Sequence, residues 1–287
     1  MARRRSPARA DVISTVKHPD VVAARRRLGR VGGKPATSFL VDGQRLVSQA
    51  LESQVPVERV FLLDPVEEEQ LALLGRAREL GVACHAVTRG VFFRILGLGY
   101  ETSVKVLAVV GRPQSGHPAF PDATELIEGD MCVLVGESIQ DPRNVGVLIR
   151  TVDAWGLVCA VFSGDSGDPY SRASVRSSTG SAFRVPVTIA AHLVEYLERL
   201  KQRSVRLIGT SARAATPCWE ADLSGPCAIL FGNESVGLSA PAREVCDLLV
   251  SIPMTGGAHS FNVTVAAGIV LYERARQRSV RVVTSRA

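Results

Sequence analysis

The second half of the chain is built from short, mostly apolar runs at 131–136, 157–162, 205–210, 227–231 and 248–252, with a shorter one at 185–187. Helical patterns separate them, at 145–155, near 170–178 and at 190–203, 240–246 and 262–278. Apolar runs of four to eight residues without polar alternation suit strands covered on both faces. Strand and helix in strict alternation predict a parallel sheet with helices on either side. Three of the connections carry more than turn residues. One reads Asp141-Pro-Arg-Asn-Val-Gly and continues to Arg150-Thr151; a second, 229–239, contains Gly232-Asn-Glu-Ser-Val-Gly237; the third runs from Ile252-Pro-Met through Ser260-Phe-Asn262 to Gly268. Ligands of open α/β sheets collect where strands end at their carboxyl edge. Three such loops predict one composite site.

The first half repeats the alternation on a smaller scale. Strands are expected at 38–41, 57–63, 82–87 and 104–110, and helices at 19–30, 43–53, 66–80 and 88–96. Gly111 to Pro121 holds three prolines and two glycines in eleven residues, which makes it a linker. The expected organisation is a disordered basic arm at 1–16, a substrate-binding domain at 17–112, a linker at 113–123 and a second domain at 124–287.

Charge is unevenly distributed. The chain carries a net +6, and residues 1–30 alone hold nine Lys or Arg against two acids, so the remainder sums to −1. A basic arm on a near-neutral body is an electrostatic footprint for nucleic acid; a solubilising tail is the plain alternative. No apolar run reaches the roughly 18–20 residues of a membrane span, and no secretory leader is visible, so a cytoplasmic protein is expected. The six cysteines are scattered without metal-ligand spacing and read as buried thiols; no metal is expected. Dinucleotide, P-loop, zinc-peptidase and α/β-hydrolase fingerprints are all missing.

Each loop has an ordinary reading as well. Asn144 could be a helix cap, Gly232-Asn233-Glu234 a tight turn, and Ser260 and Asn262 the cap of the last helix. Arg150 resists such a reading. Flanked in sequence by Leu148, Ile149 and Val152, it calls for an anionic partner or a cleft.

In order and spacing, the three segments resemble the three motifs of the SpoU-type, or SPOUT-class, RNA 2′-O-ribose methyltransferases, over residues 131–278. The resemblance implies an α/β fold: a parallel-sheet methyltransferase domain with a C-terminal deep trefoil knot. The small α/β domain before it resembles, more weakly, the ribosomal-protein-like RNA-binding module of rRNA-directed members. It implies S-adenosyl-L-methionine bound in the knot, its adenine held by backbone around Thr210, Gly232, Ile252 and Phe261, where the family usually has Leu at the last position. Asn144, Arg150, Glu234, Ser260 and Asn262 match the family's reactive side chains. Arg150 is often proposed there as the base; a guanidinium stays protonated, so a clamp on phosphate and developing alkoxide is the better role. The implied partners are 23S ribosomal RNA, met in part by Arg25, Arg26 and Arg27, and a second copy in a homodimer. The implied reaction is 2′-O-methylation of a 23S nucleotide such as a uridine, giving resistance to a ribosome-targeting antibiotic such as avilamycin. The alternatives are a tRNA ribose methyltransferase and a non-catalytic RNA-binding protein of the same fold.

Overall fold

In the computed structural model, which describes residues 12–28, 36–97, 103–113 and 131–284, the chain divides after Pro113 into two units. The arm's four arginines and linker residues 114–123 lie outside the described residues.

The first unit holds helix α1 (Pro19–Leu28), strand β1 (Ser38–Asp42), α2 (Gln44–Glu52), β2 (Val57–Leu63), α3 (Leu71–Glu79), β3 (Ala83–Val87), α4 (Arg89–Leu96) and β4 (Val106–Gly111). Its sheet runs β1-β4-β2-β3; only β2 and β3 pair in parallel, while β4 is antiparallel to both neighbours. Ile13 falls within the stretch expected to be disordered, yet it is 6% exposed and bridged to β3. Its N–H donates to the Ala86 carbonyl and its own carbonyl accepts from Thr88. Ile13 in the core cluster of α1 and α4, Val16 packed against it and these two backbone hydrogen bonds hold the segment.

Helix α1 is tied down by charge. Arg59 donates to Asp20 at 2.9 Å, His85 lies 3.2 Å from the same carboxylate, and Arg27 pairs with Glu58 at 2.6 Å. Arg27 is therefore committed within the unit, whereas Arg25 and Arg26 are exposed and have no partner among the described residues. Burial lowers the His85 pKa from its ordinary 6.5, outweighing the upward pull of Asp20. Burial raises the Asp20 carboxyl, but the Arg59 hydrogen bond and the charges of His85, Arg59 and His18 bring the net shift below 3.8. Both shifts mean that the unfolded chain binds protons first, so stability falls as pH falls. The unit should weaken as pH drops below 6.5, where only unfolded His85 takes a proton, and again below 3.8. Melting followed by circular dichroism across pH should show both steps, and His85→Leu should flatten the upper one.

The second unit contains β5 (Cys132–Gly136), α5 (Pro142–Trp155), β6 (Cys159–Ser163), α6 (Arg172–Ser178), β7 (Val187–Ala190), α7 (Leu193–Gln202), β8 (Arg206–Thr210), β9 (Thr216–Pro217), β10 (Cys227–Phe231), α8 (Ala240–Val245), β11 (Leu248–Ser251) and α9 (Val263–Thr284). Its seven strands run β7-β6-β5-β10-β8-β11-β9, every pair parallel. Consecutive strand residues enter opposite cores. Leu134, Ile208, Ile229 and Val250 pack with α5 and α9, while Val133, Val135, Leu207 and Leu230 pack with α7. That double burial is why these strands read as unbroken apolar runs. The chain leaves β5 for the α5 face and β10 for the α8 side, so the carboxyl ends of these neighbours open a crevice at a topological switch point. All six cysteines are free thiols, four of them buried. No helix among the described residues is long and apolar enough to cross a membrane.

Gly146 sets how closely α5 crosses α6. A Cβ there would lie 2.1 Å from Ser177 Oγ and 2.2 Å from the Ser174 carbonyl oxygen. Alanine gains about 1 kcal/mol of helix propensity over glycine. Pushing a backbone carbonyl away costs more, so Gly146→Ala should destabilise the unit by about 2 kcal/mol net, measured by chemical denaturation.

Candidate active site

Helix α5 begins at Pro142, three residues before its apolar pattern. Asp141 caps it, accepting from the Arg143 N–H at 2.8 Å and also from the Arg143 guanidinium. The Arg143 hydrogen bonds hold the Asp141 carboxyl below its ordinary range, so the cap stays ionised. The plain reading of Asn144 as the cap therefore fails. Asn144 lies inside the first turn, where its Nδ2 donates to Glu234 Oε1 at 2.8 Å across 90 residues of sequence.

Glu234 is presented by the turn after β10. Asn233 and Gly237 exchange two backbone hydrogen bonds, and Asn233 Oδ1 accepts from the N–H groups of Ser235 and Val236. Gly237 has φ +73, the left-handed region that glycine enters without strain. Gly232 packs so tightly that a Cβ would sit 2.2 Å from the Gly237 carbonyl carbon and from the Leu238 nitrogen. Glu137, at the end of β5, accepts from both the N–H and the hydroxyl of Ser239 and thereby anchors the start of α8.

Asn262 caps α9, its Oδ1 accepting from Thr264 N–H at 2.9 Å, while its Nδ2 reaches Asn144 Oδ1 at 3.4 Å. Asn262, Asn144 and Glu234 thus form one chain linking all three loops. Beside it opens a cavity of about 590 Å³ lined by Thr210, Phe231, Gly232, Glu234, Ile252, Ser260 and Phe261, among others. The Thr210 hydroxyl is used internally, donating to the Leu230 carbonyl at 2.8 Å. Phe261 is 42% exposed. Arg213, Arg243 and His259 also line the cavity, giving its rim a basic bias against Glu234.

Nine positions were singled out in this unit, and six line the cavity: Thr210, Gly232, Glu234, Ile252, Ser260 and Phe261. Asn144 and Asn262 stand beside it through Glu234. Arg150 is not brought in. It is exposed, with no partner among the described residues, because Leu148, Ile149 and Val152 turn to the core and position 150 falls on the outer face of α5. Arg25, Arg26 and Arg27 belong to the first unit. Asn233, Glu137 and the three basic cavity residues were missed. Asn233 is embedded in a readable turn motif, but lone Arg and His residues give no pattern.

A model of the SpoU rRNA Methylase family matches residues 131–272. A 23S rRNA (guanosine(2553)-2′-O)-methyltransferase, RlmP of Bacillus subtilis, is 31% identical over 235 residues, covering 82% of this chain and 87% of that protein. A 23S rRNA (uridine(2479)-2′-O)-methyltransferase of Streptomyces viridochromogenes is 33% identical over 253 residues, 85% of this chain and 84% of the other. The crystal structure of the SpoU methyltransferase AviRb from S. viridochromogenes in complex with the cofactor AdoMet superposes with a TM-score of 0.75. It is 30% identical and covers 90% of this chain and 97% of that one.

Proposed function

The chain belongs to the SpoU rRNA methylase family, and from that premise we propose that it transfers a methyl group to a ribose 2′-hydroxyl of 23S ribosomal RNA. S-Adenosylmethionine is its cofactor and supplies, when bound, an electrophilic sulfonium methyl. The cavity suits it: about 590 Å³ lies within the range of sites that enclose a molecule of this size, and Phe231, Ile252, Met254 and Phe261 offer apolar walls. Backbone groups at Thr210, Gly232, Ile252 and Phe261 would hold the adenine, which leaves the family's usual Leu and this chain's Phe261 interchangeable for hydrogen bonding.

The observation that carries the reading is the Asn262–Asn144–Glu234 chain at the edge of that cavity. Asn144 and Asn262 orient the target ribose, Glu234 fixes Asn144, and Ser260 steers the nucleotide from the cavity wall. Arg150, exposed on the outer face of α5 and free of any acid among the described residues, meets the substrate phosphate from outside the cavity and, once RNA is bound, stabilises the developing alkoxide, with the proton leaving late to water. In-line placement of hydroxyl and methyl accounts for the remaining barrier lowering.

The architecture proposed with this function includes a deep trefoil knot formed by the segments around 210–217, 232–239 and 252–261. Two of its supports are the placement of β10 between β5 and β8 and the convergence of these segments on one cavity. The first unit serves as the rRNA-binding module, with Arg25 and Arg26 as the available phosphate contacts. The protein works in the cytoplasm as a homodimer. Trp155 and Tyr272, packed edge to face at 6.2 Å, and Val265 leave an apolar strip exposed on α5 and α9, which suits a second copy.

The finer reading is a uridine target, supported by the likeness to the S. viridochromogenes uridine methyltransferase, and with it resistance to a ribosome-targeting antibiotic such as avilamycin. The relative from B. subtilis acts on a guanosine at similar identity, so the target base must be mapped. Primer extension at low nucleotide concentration, on ribosomal RNA from cells with and without the protein, should give one new stop in 23S rRNA. A stop in tRNA instead would favour the tRNA reading. No stop in either, with AdoMet bound and RNA retained, would favour a binding protein.

A further inference from the structure

The loop between β5 and α5 carries a strained residue. Ser138 has φ +53, a conformation a residue with a Cβ adopts only when its surroundings impose it. What imposes it comes from the next strand. Asp165, two residues beyond β6, accepts from the Ser138 hydroxyl on one carboxylate oxygen and from the Ser163 hydroxyl on the other, each at 2.5 Å. Ser163 Oγ in turn accepts from the Ser138 N–H at 2.7 Å, and the Asp165 carbonyl accepts from Gln140 Nε2 at 3.1 Å. Ser138 is thus gripped at its N–H and at its hydroxyl, from one side.

Its carbonyl accepts from Gln140 Nε2 at 3.3 Å and also meets the turn after β10. It accepts from Asn233 Nδ2 at 2.9 Å, and Asn233 Oδ1 gathers the Ser235 and Val236 N–H groups that shape the turn presenting Glu234. Glu234 then accepts from Asn144. A path therefore runs from Asp165 through Ser138 to Asn233, along the turn to Glu234 and on to Asn144, three of its hydrogen bonds joining residues far apart in sequence. We propose that Asp165 is a positioning residue for the methyl transfer: by holding Ser138 in the left-handed conformation it aims the carbonyl that fixes the Asn233–Gly237 turn against the cofactor cavity. This rests on the proposed function for its chemistry, though not for its structural half. The Ser138 and Ser163 hydroxyls hold the Asp165 carboxyl below its ordinary range, so the grip persists throughout the neutral range.

The test uses the full-length protein and the Asp165→Ala and Asp165→Asn variants. Titration calorimetry should show AdoMet binding weakened at least tenfold in Asp165→Ala. Asp165→Asn, which keeps only one acceptor oxygen, should fall between it and wild type. Hydrogen exchange should speed at the Ser235 and Val236 amides while the β10 amides keep their protection. Wild-type AdoMet affinity together with unchanged exchange at 235 and 236 would overturn the proposal. So would loss of protection spread evenly over the second unit, which marks a general structural role. A wild-type protein that binds no AdoMet would instead refute the proposed function, and exchange at 235 and 236 would still decide the role of Asp165.

Discussion

Arg150→Ala is expected to lower the methylation rate by about 10²–10³-fold, the loss seen when one donor to a developing negative charge is removed. AdoMet affinity should stay within a few-fold of wild type, because Arg150 does not line the cavity. Stability should barely change. The side chain is exposed and unpartnered among the described residues, and such surface positions usually stay within about 0.5 kcal/mol. Arg150→Lys should also be slow, since a point charge cannot replace a planar fork. Single-turnover methylation, calorimetry and a thermal melt check the three parts. More than a tenth of wild-type turnover in the alanine variant would exclude the clamp role.

Gly232→Ala should act at the opposite end of the reaction, on binding. Its Cβ would lie 2.2 Å from the peptide between Gly237 and Leu238, against ordinary contacts beyond 3.4 Å. Neither side can give cheaply, because both are backbone and Leu238 is anchored at 3% exposure in the core beside α7. Opening the turn would displace Glu234 and the cavity wall together. AdoMet binding should weaken by more than about 100-fold, with a stability loss of about 1–3 kcal/mol typical of overpacking. Calorimetry that finds the affinity within threefold of wild type would show that this turn does not hold the cofactor.

The strands of the second unit were legible because burial on both faces leaves little room for polar residues, and such runs stand out in a chain. The strand β9 was not: two residues, one of them proline, carry no period. Ile13 was equally invisible, since a lone bridge to β3 leaves no pattern. At the site, residue types and spacing located the three loops, and the cavity gathers most of the side chains they offered. Two positions on α5 are decided by helix geometry that the sequence does not display. Asn144 resembled a cap until Asp141 proved to take that role, and the true cap frees Asn144 to face Glu234. The apolar sequence neighbours of Arg150 do not bury it, because a helix sorts residues by angle; 149 and 150 differ by about 100° and point to core and solvent respectively. The Asp165 path is beyond reach of the sequence, because its deciding links, Asp165 to Ser138 and Ser138 to Asn233, join segments brought together only by the order of strands in the sheet.

Asn262 serves two masters with one amide. Its oxygen starts a helix of 22 residues, and its nitrogen reaches the Asn144 side chain. Aspartate caps helices as well as asparagine does, but it has no N–H to give, and it would leave Asn144 with a carboxylate on either side and a single NH₂ group to divide between them. Asn262→Asp is therefore expected to keep the helix cap while disturbing the Asn144–Glu234 contact. If Asn262 orients the ribose as proposed, such a variant would keep its fold and lose methyl transfer: one side chain would hold the start of the last helix and the order of the reacting groups in separate atoms.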